Sequence, residues 1–135
     1  MYALEIWYGS LQGNRERIFK LQKKALRAIN LLPYNEHTHD SFKNMGLLKL
    51  DDLSKLMLSV HTFKKRNLNI QADIHSYYTR NRNNLVIPRY NLAVTQSTWL
   101  YRGILDWGSV PDQVKDTDNV GIFKGRLRKF LLSSY

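Results

Sequence analysis

Apolar residues recur along most of this chain at helical intervals, and one long stretch interrupts them. Within residues 15–32, Ile18, Leu21, Ala25, Ala28, Ile29 and Leu32 fall three or four apart, which places them on one face of an α-helix. Asn14 stands where an N-cap would, and Pro33 ends the helix, since proline lacks an N–H and crowds the preceding turn. After a linker over residues 34–38, a short helix opens at Asp40 or Ser41 and exits at Gly46. A third helix takes Asp51 as its cap, with Leu53, Leu56, Met57, Val60, Phe63 and Lys64 along one face. Its last turn carries Lys64-Lys65-Arg66, where cations complement the helix dipole.

The helical period fades over residues 67–95. Asn67, Asn69, Asn81, Asn83 and Asn84 mark loops there. Leu85-Val86-Ile87 is a short β-like run, but Pro88 excludes a central strand. A further helix starts at Ser97 or Thr98, runs through Trp99, Leu100, Ile104 and Trp107, and breaks at Gly108 and Pro111. A last helix covers residues 118–132, with Val120, Phe123, Leu127, Phe130 and Leu131 on one face. Residues 1–9 are apolar and aromatic (Tyr2, Leu4, Ile6, Trp7, Tyr8). They read as the last turns of a buried helix begun upstream, followed by a turn at Gly9, Ser10, Gly13 and Asn14. The expectation is a mainly α fold of four to five helices in a small irregular bundle. A basic helical region (1–66) is followed by a loop-rich segment (67–95) and a C-terminal helical region (96–135). Together they form one structural unit, a fragment of a larger protein.

Composition sharpens this picture. With 135 residues, 43% hydrophobic and 24% charged, the chain can bury a core. No apolar run approaches the ~20 residues of a membrane span, and the first residues do not read as a signal peptide. An intracellular location, nuclear or cytoplasmic, is therefore expected. The absence of cysteine excludes disulfides, zinc fingers and knuckles, iron–sulfur clusters and thiol catalysis. Lys and Arg number 21 against 11 Asp and Glu, a net +10, which favours polyanionic partners. The surplus is densest near the start, where residues 1–34 hold six basic and two acidic side chains.

Catalytic signatures are missing. There is no phosphate loop, glycine fingerprint or serine elbow. The one adjacent carboxylate pair, Asp51-Asp52, sits at a helix start, where aspartate commonly caps. His37 and His39 would need at least one more ligand to hold a metal. His61 reads as packing or surface, and His75 as a loop residue. No catalytic residue, metal site or small-molecule substrate is assigned.

The basic residues are more informative. Arg17, Lys20, Lys24 and Arg27 recur at three, four and three, forming one strip about a quarter turn from the apolar stripe. Such a strip suits a phosphate backbone, or is an ordinary solvated face. Tyr77, Tyr78, Arg80 and Arg82 mix rings that can stack on bases with cations that can pair with phosphates. A polar loop with packed tyrosines is the other reading. Lys124, Arg126, Arg128 and Lys129 form a third cluster, near the end of the last helix.

An ordered series of landmarks runs through nearly the whole chain: Tyr2, Trp7 and Gly9; Leu21-Gln22-Lys23-Lys24-Ala25-Leu26-Arg27 with Ile29; Leu32-Pro33-Tyr34; His37-Thr38; Phe42; Leu47-Leu48-Lys49-Leu50-Asp51-Asp52; Ile74-His75 with Tyr77 and Thr79-Arg80; Tyr101-Arg102-Gly103; Trp107 and Pro111; and Phe123-Lys124 with Arg126-Leu127 and Lys129-Phe130-Leu131. The series resembles the C-terminal, thumb and post-thumb region of reverse transcriptases from jockey-like non-long-terminal-repeat retrotransposons. It departs from that pattern at Trp7-Tyr8-Gly9, an apparent one-residue insertion, and at Trp107-Gly108-Ser109-Val110-Pro111. The resemblance implies an RNA-directed DNA polymerase whose catalytic palm, with its Tyr-x-Asp-Asp box and Mg²⁺, lies upstream. It implies no cofactor in this chain. The chain would then be a non-catalytic piece that grips RNA or DNA and braces the palm, its partner. The alternatives are a structural or protein-interaction helical module, a decayed element copy with no activity, and a sequence-specific DNA-binding domain.

Overall fold

A computed structural model describes residues 12–65, 68, 70–74 and 76–135. The expectations for residues 1–9, Arg66, Asn67, Asn69 and His75 lie outside the described residues. The described chain is mainly helical. Its helices are α1 (Gln12–Ile29), α2 (His39–Asn44), α3 (Leu50–Lys64), α4 (Ala93–Gln96), α5 (Trp99–Gly108), α6 (Asp112–Lys115) and α7 (Val120–Ser133). The five helices expected from periodicity are all present, with the single-turn α4 and α6 added. Among the described residues the β-like run forms only an isolated antiparallel bridge, Ile70 to Leu85.

α3 is the central element, packed on α1, α5 and α7. Its expected apolar face is too narrow an account: Ser54, Leu58, Ser59 and Thr62 are buried as well as Leu56, Val60 and Phe63. Small polar residues read as solvent-facing in sequence, yet here they let neighbouring helices approach. Thr62 Oγ1 donates to the Leu58 carbonyl at 3.0 Å, which satisfies the buried hydroxyl within its own helix. Gly103 of α5 crosses at this point, where an added Cβ would lie 2.7 Å from Thr62 Oγ1. Only glycine permits that approach without movement.

The main core joins α3 to the C-terminal helices. Leu56, Val60 and Phe63 meet Val110, Val114, Phe123, Leu127 and Leu131. The Phe63 and Phe123 rings stack with centroids 4.4 Å apart, and Trp107 lies 5.5 Å from Phe123. A smaller cluster holds α1, where Ile18 and Phe19, together with Leu53 and Met57 of α3, pack around Leu50. Phe19 also stacks on the buried Phe42 of α2 at 6.2 Å.

Several helix ends differ from expectation. Asn14 lies inside α1 rather than capping it. Thr38 and Lys49 occupy the N-cap positions of α2 and α3, so Asp40, Asp51 and Asp52 sit in first turns, where their charge favours the dipole. Asn119 caps α7, accepting from the Gly121 and Ile122 amides at 2.8 and 3.2 Å. Gly46 ends α2 at φ +60°, with its amide on the Lys43 carbonyl and the Leu47 amide on that of Phe42, a left-handed exit that glycine adopts freely.

Candidate nucleic-acid interface

α1 is turned differently from its sequence reading. Leu26 is 1% exposed, while Leu21 and Ile29 are 61% and 63% exposed. The buried face therefore runs through Phe19, Gln22 and Leu26, rotated by about one residue, or ~100°, from the expected stripe. Gln22 shows why. Its side-chain amide donates to the Leu48 carbonyl at 2.9 Å and accepts from the Leu50 amide at 3.1 Å. A polar residue thus locks α1 onto the entrance of α3, satisfying two backbone groups that no helix ladder covers. Periodicity counts Gln22 as polar and misses it.

This rotation carries the cationic strip away from the core, to the far side of α1 rather than a quarter turn from packed residues. Arg17, Lys20 and Lys24 are exposed and make no hydrogen bond or ion pair among the described residues. Together with Lys23, Arg27 and the exposed apolar Leu21 they line an open concavity of about 570 Å³. The structure thus brings all four cations of the strip to one groove. Tyr34, which the sequence reading assigned to a linker, closes one side of it and is 78% exposed.

Tyr34 is placed by the end of α1. Leu31 adopts φ +53°, and the Leu32 amide bonds the Arg27 carbonyl at 2.9 Å, a left-handed reversal that is normally glycine's. The chain then doubles back along the helix. Arg27 Nε donates to the Glu36 carbonyl at 3.0 Å, and its guanidinium lies 5.8 Å from the centre of the Tyr34 ring, within cation–π range. Arg27 accordingly positions the tyrosine as well as contributing charge. Lys23 leans over the Phe19 ring at 4.4 Å.

The second predicted set forms a separate cluster. Tyr77, Tyr78, Arg80 and Arg82 are all exposed, and Arg82 lies 5.5 Å from the Tyr78 ring centre. The loop that carries them is held by its own backbone: the Ala72 amide bonds the Arg82 carbonyl and the Gln71 amide that of Asn84, both at 2.9 Å. The tyrosines do not pack on the core.

In the third basic cluster the two arginines are occupied, while Lys124 and Lys129 are exposed. Arg126 donates to the Asp116 and Gln113 carbonyls at 2.8 and 3.3 Å, and Arg128 to the Gly46 carbonyl at 2.8 Å. Two ionisable groups are displaced from their usual ranges. Burial raises the Asp106 carboxyl, against the opposing pull of Arg102 and Lys55. Burial and a hydrogen bond to the Asp52 carboxylate push the Tyr135 phenol well above its usual range. Tyr135 also accepts from the Lys49 amide at 2.7 Å, so it fastens the end of the chain to the start of α3. Neither group faces the basic groove.

His39 packs 6.1 Å from the Tyr135 ring and His61 edge-on to Trp99 at 5.1 Å. Among the described residues no three histidine or carboxylate side chains converge as a metal site would. No helix there is long and apolar enough to cross a membrane. No family model, curated protein or solved structure matches the chain.

Proposed function

We propose that the chain is a non-catalytic nucleic-acid-binding piece of a retroelement RNA-directed DNA polymerase, gripping template RNA or primer DNA through the basic face of α1. The observation that carries the gripping half is the groove itself: Arg17, Lys20 and Lys24 lie side by side without carboxylate partners among the described residues. Unpaired cations in a concave surface lower the cost of bringing a polyanion close. The parentage rests on the ordered landmark series in the sequence. Tyr77, Tyr78, Arg80 and Arg82 supply a second contact region in this reading.

The test is binding of a single-stranded RNA and of a nicked DNA duplex at several salt concentrations. Neutralising Z phosphates gives a log–log salt slope of about −0.7Z to −0.9Z. Changing Arg17, Lys20 and Lys24 together to Glu should abolish most binding with helicity unchanged by circular dichroism. Arg27 is left intact because it also holds the Tyr34 loop. Binding that survives the triple change removes α1 as the site. Template-directed nucleotide addition by this chain alone would contradict its non-catalytic role.

One observation favours a second reading, a module that braces a partner domain. Leu21 and Ile29, with Leu31 at 91% exposure, form apolar surface on the flank of α1. An upstream polymerase palm packed there would cover it. Light scattering of the isolated chain, with and without that palm, separates the two: aggregation rescued by the palm supports bracing.

A further inference from the structure

The geometry points to Tyr34 as a stacking platform, and so to unpaired bases as the class of ligand the α1 groove takes. This inference rests on the proposed nucleic-acid grip and narrows it to single strands. Three features of the groove lead there. First, the groove is not uniformly polar: the Tyr34 ring and the Leu21 side chain border the same concavity as Arg17, Lys20 and Lys24. A surface that only counters phosphate charge needs no ring. Second, Tyr34 is 78% exposed, with the Arg27 guanidinium 5.8 Å from its centre. A solvent-facing ring with a cation on one side leaves its remaining surface open to a second flat partner. Third, the turn that delivers it is strained: Leu31 takes φ +53°, a left-handed conformation that a non-glycine residue adopts at a cost.

The dimensions agree. From Arg17 to Arg27 the strip rises about 15 Å at 1.5 Å per residue, enough for a few nucleotides of one strand. Phosphates would follow Arg17, Lys20 and Lys24, and a base would lie on Tyr34. In a duplex the base faces are buried in the stack and cannot reach the ring, so the tyrosine adds nothing to duplex affinity. RNA and DNA both offer base faces to a stacking ring, and the 2′-hydroxyl distinguishes their backbones.

The test uses the full chain, an unstructured 12-nucleotide strand as RNA and as DNA, its duplex, and a 12-unit abasic deoxyribose-phosphate strand, all read by fluorescence anisotropy. Removing a stacked ring weakens binding by about tenfold, within the range for one base on an aromatic side chain. Tyr34→Ala should therefore weaken single-strand binding about tenfold without changing the salt slope. Tyr34→Phe should retain it. The wild-type chain should bind the abasic strand about tenfold more weakly than the normal one, and Tyr34→Ala should bind both alike. Equal losses for strand and duplex, or no loss with Tyr34→Ala, would overturn the stacking role while leaving the grip intact. A wild-type chain that ignores every oligonucleotide, or prefers phosphatidylserine vesicles, would overturn both.

Discussion

α1 and α7 are both basic amphipathic helices, but the arginines of α7 are used differently from the outward cations of α1. α7 seats Phe123, Leu127 and Leu131 fully in the main core. Its arginines reach back to backbone carbonyls, Arg126 to Asp116 and Gln113 and Arg128 to Gly46. α1 buries Leu26, rests Ile18 and Phe19 on the edge of α3, and turns Arg17, Lys20 and Lys24 outward. Cation density in a sequence therefore does not identify a binding face. What separates Arg126 and Arg128 from Arg17, Lys20 and Lys24 is that the two arginines already have acceptors within the fold.

The comparison can be broken at the core first. Phe123→Ala removes a fully buried ring stacked on Phe63 and should cost about 3–5 kcal/mol, measured by chemical denaturation. A loss below about 1 kcal/mol would mean that α7 is not seated as described. Next, Tyr135→Phe removes the donor to Asp52 and the acceptor for the Lys49 amide. It should cost about 1–2 kcal/mol. Arg128→Ala frees the Gly46 carbonyl and should cost about 0.5–1.5 kcal/mol with no change in nucleic-acid affinity. The Arg17, Lys20 and Lys24 substitutions should do the reverse: stability within about 0.5 kcal/mol of wild type, and most affinity gone.

The smallest effect concerns pH. Folding raises the Asp106 pKa through burial, so the folded state favours the protonated carboxyl. That group's contribution is best below the ordinary aspartate range and declines as pH rises through its raised value. Asp106→Asn should therefore raise the melting temperature slightly at pH 7 and leave it unchanged near pH 3. A loss at pH 7 would mean that the attraction of Arg102 and Lys55 outweighs desolvation.

Much of the architecture was legible in the chain. The periodicity of α3 and α7 and the exit at Gly46 follow from local rules that the tertiary fold respects, whereas α1 ends at Ile29, ahead of the expected stop at Pro33, through the left-handed turn at Leu31. The orientation of α1 was not legible. Leu21, Ala25 and Ile29 make the better apolar stripe by count, but the Gln22 amide finds two backbone partners at the entrance of α3, and that long-range fit decides the rotation. Ser54, Ser59 and Thr62 were hidden for a related reason, since small polar residues look solvent-facing until a helix crosses them. Of the candidate groove, the four cations were visible as a strip. Tyr34 was not, because its place depends on a left-handed turn at a leucine, which no propensity anticipates. The loop set of Tyr77, Tyr78, Arg80 and Arg82 was visible only as composition, and its separate backbone frame fixes where it lies.

The most direct measurement is the salt dependence of single-strand RNA binding by the wild-type chain and by a variant with Arg17, Lys20 and Lys24 replaced by Gln. Each lost phosphate contact lowers the log–log slope by about 0.7, so the proposed grip predicts a slope shallower by about 2. An identical slope in the two proteins would contradict it.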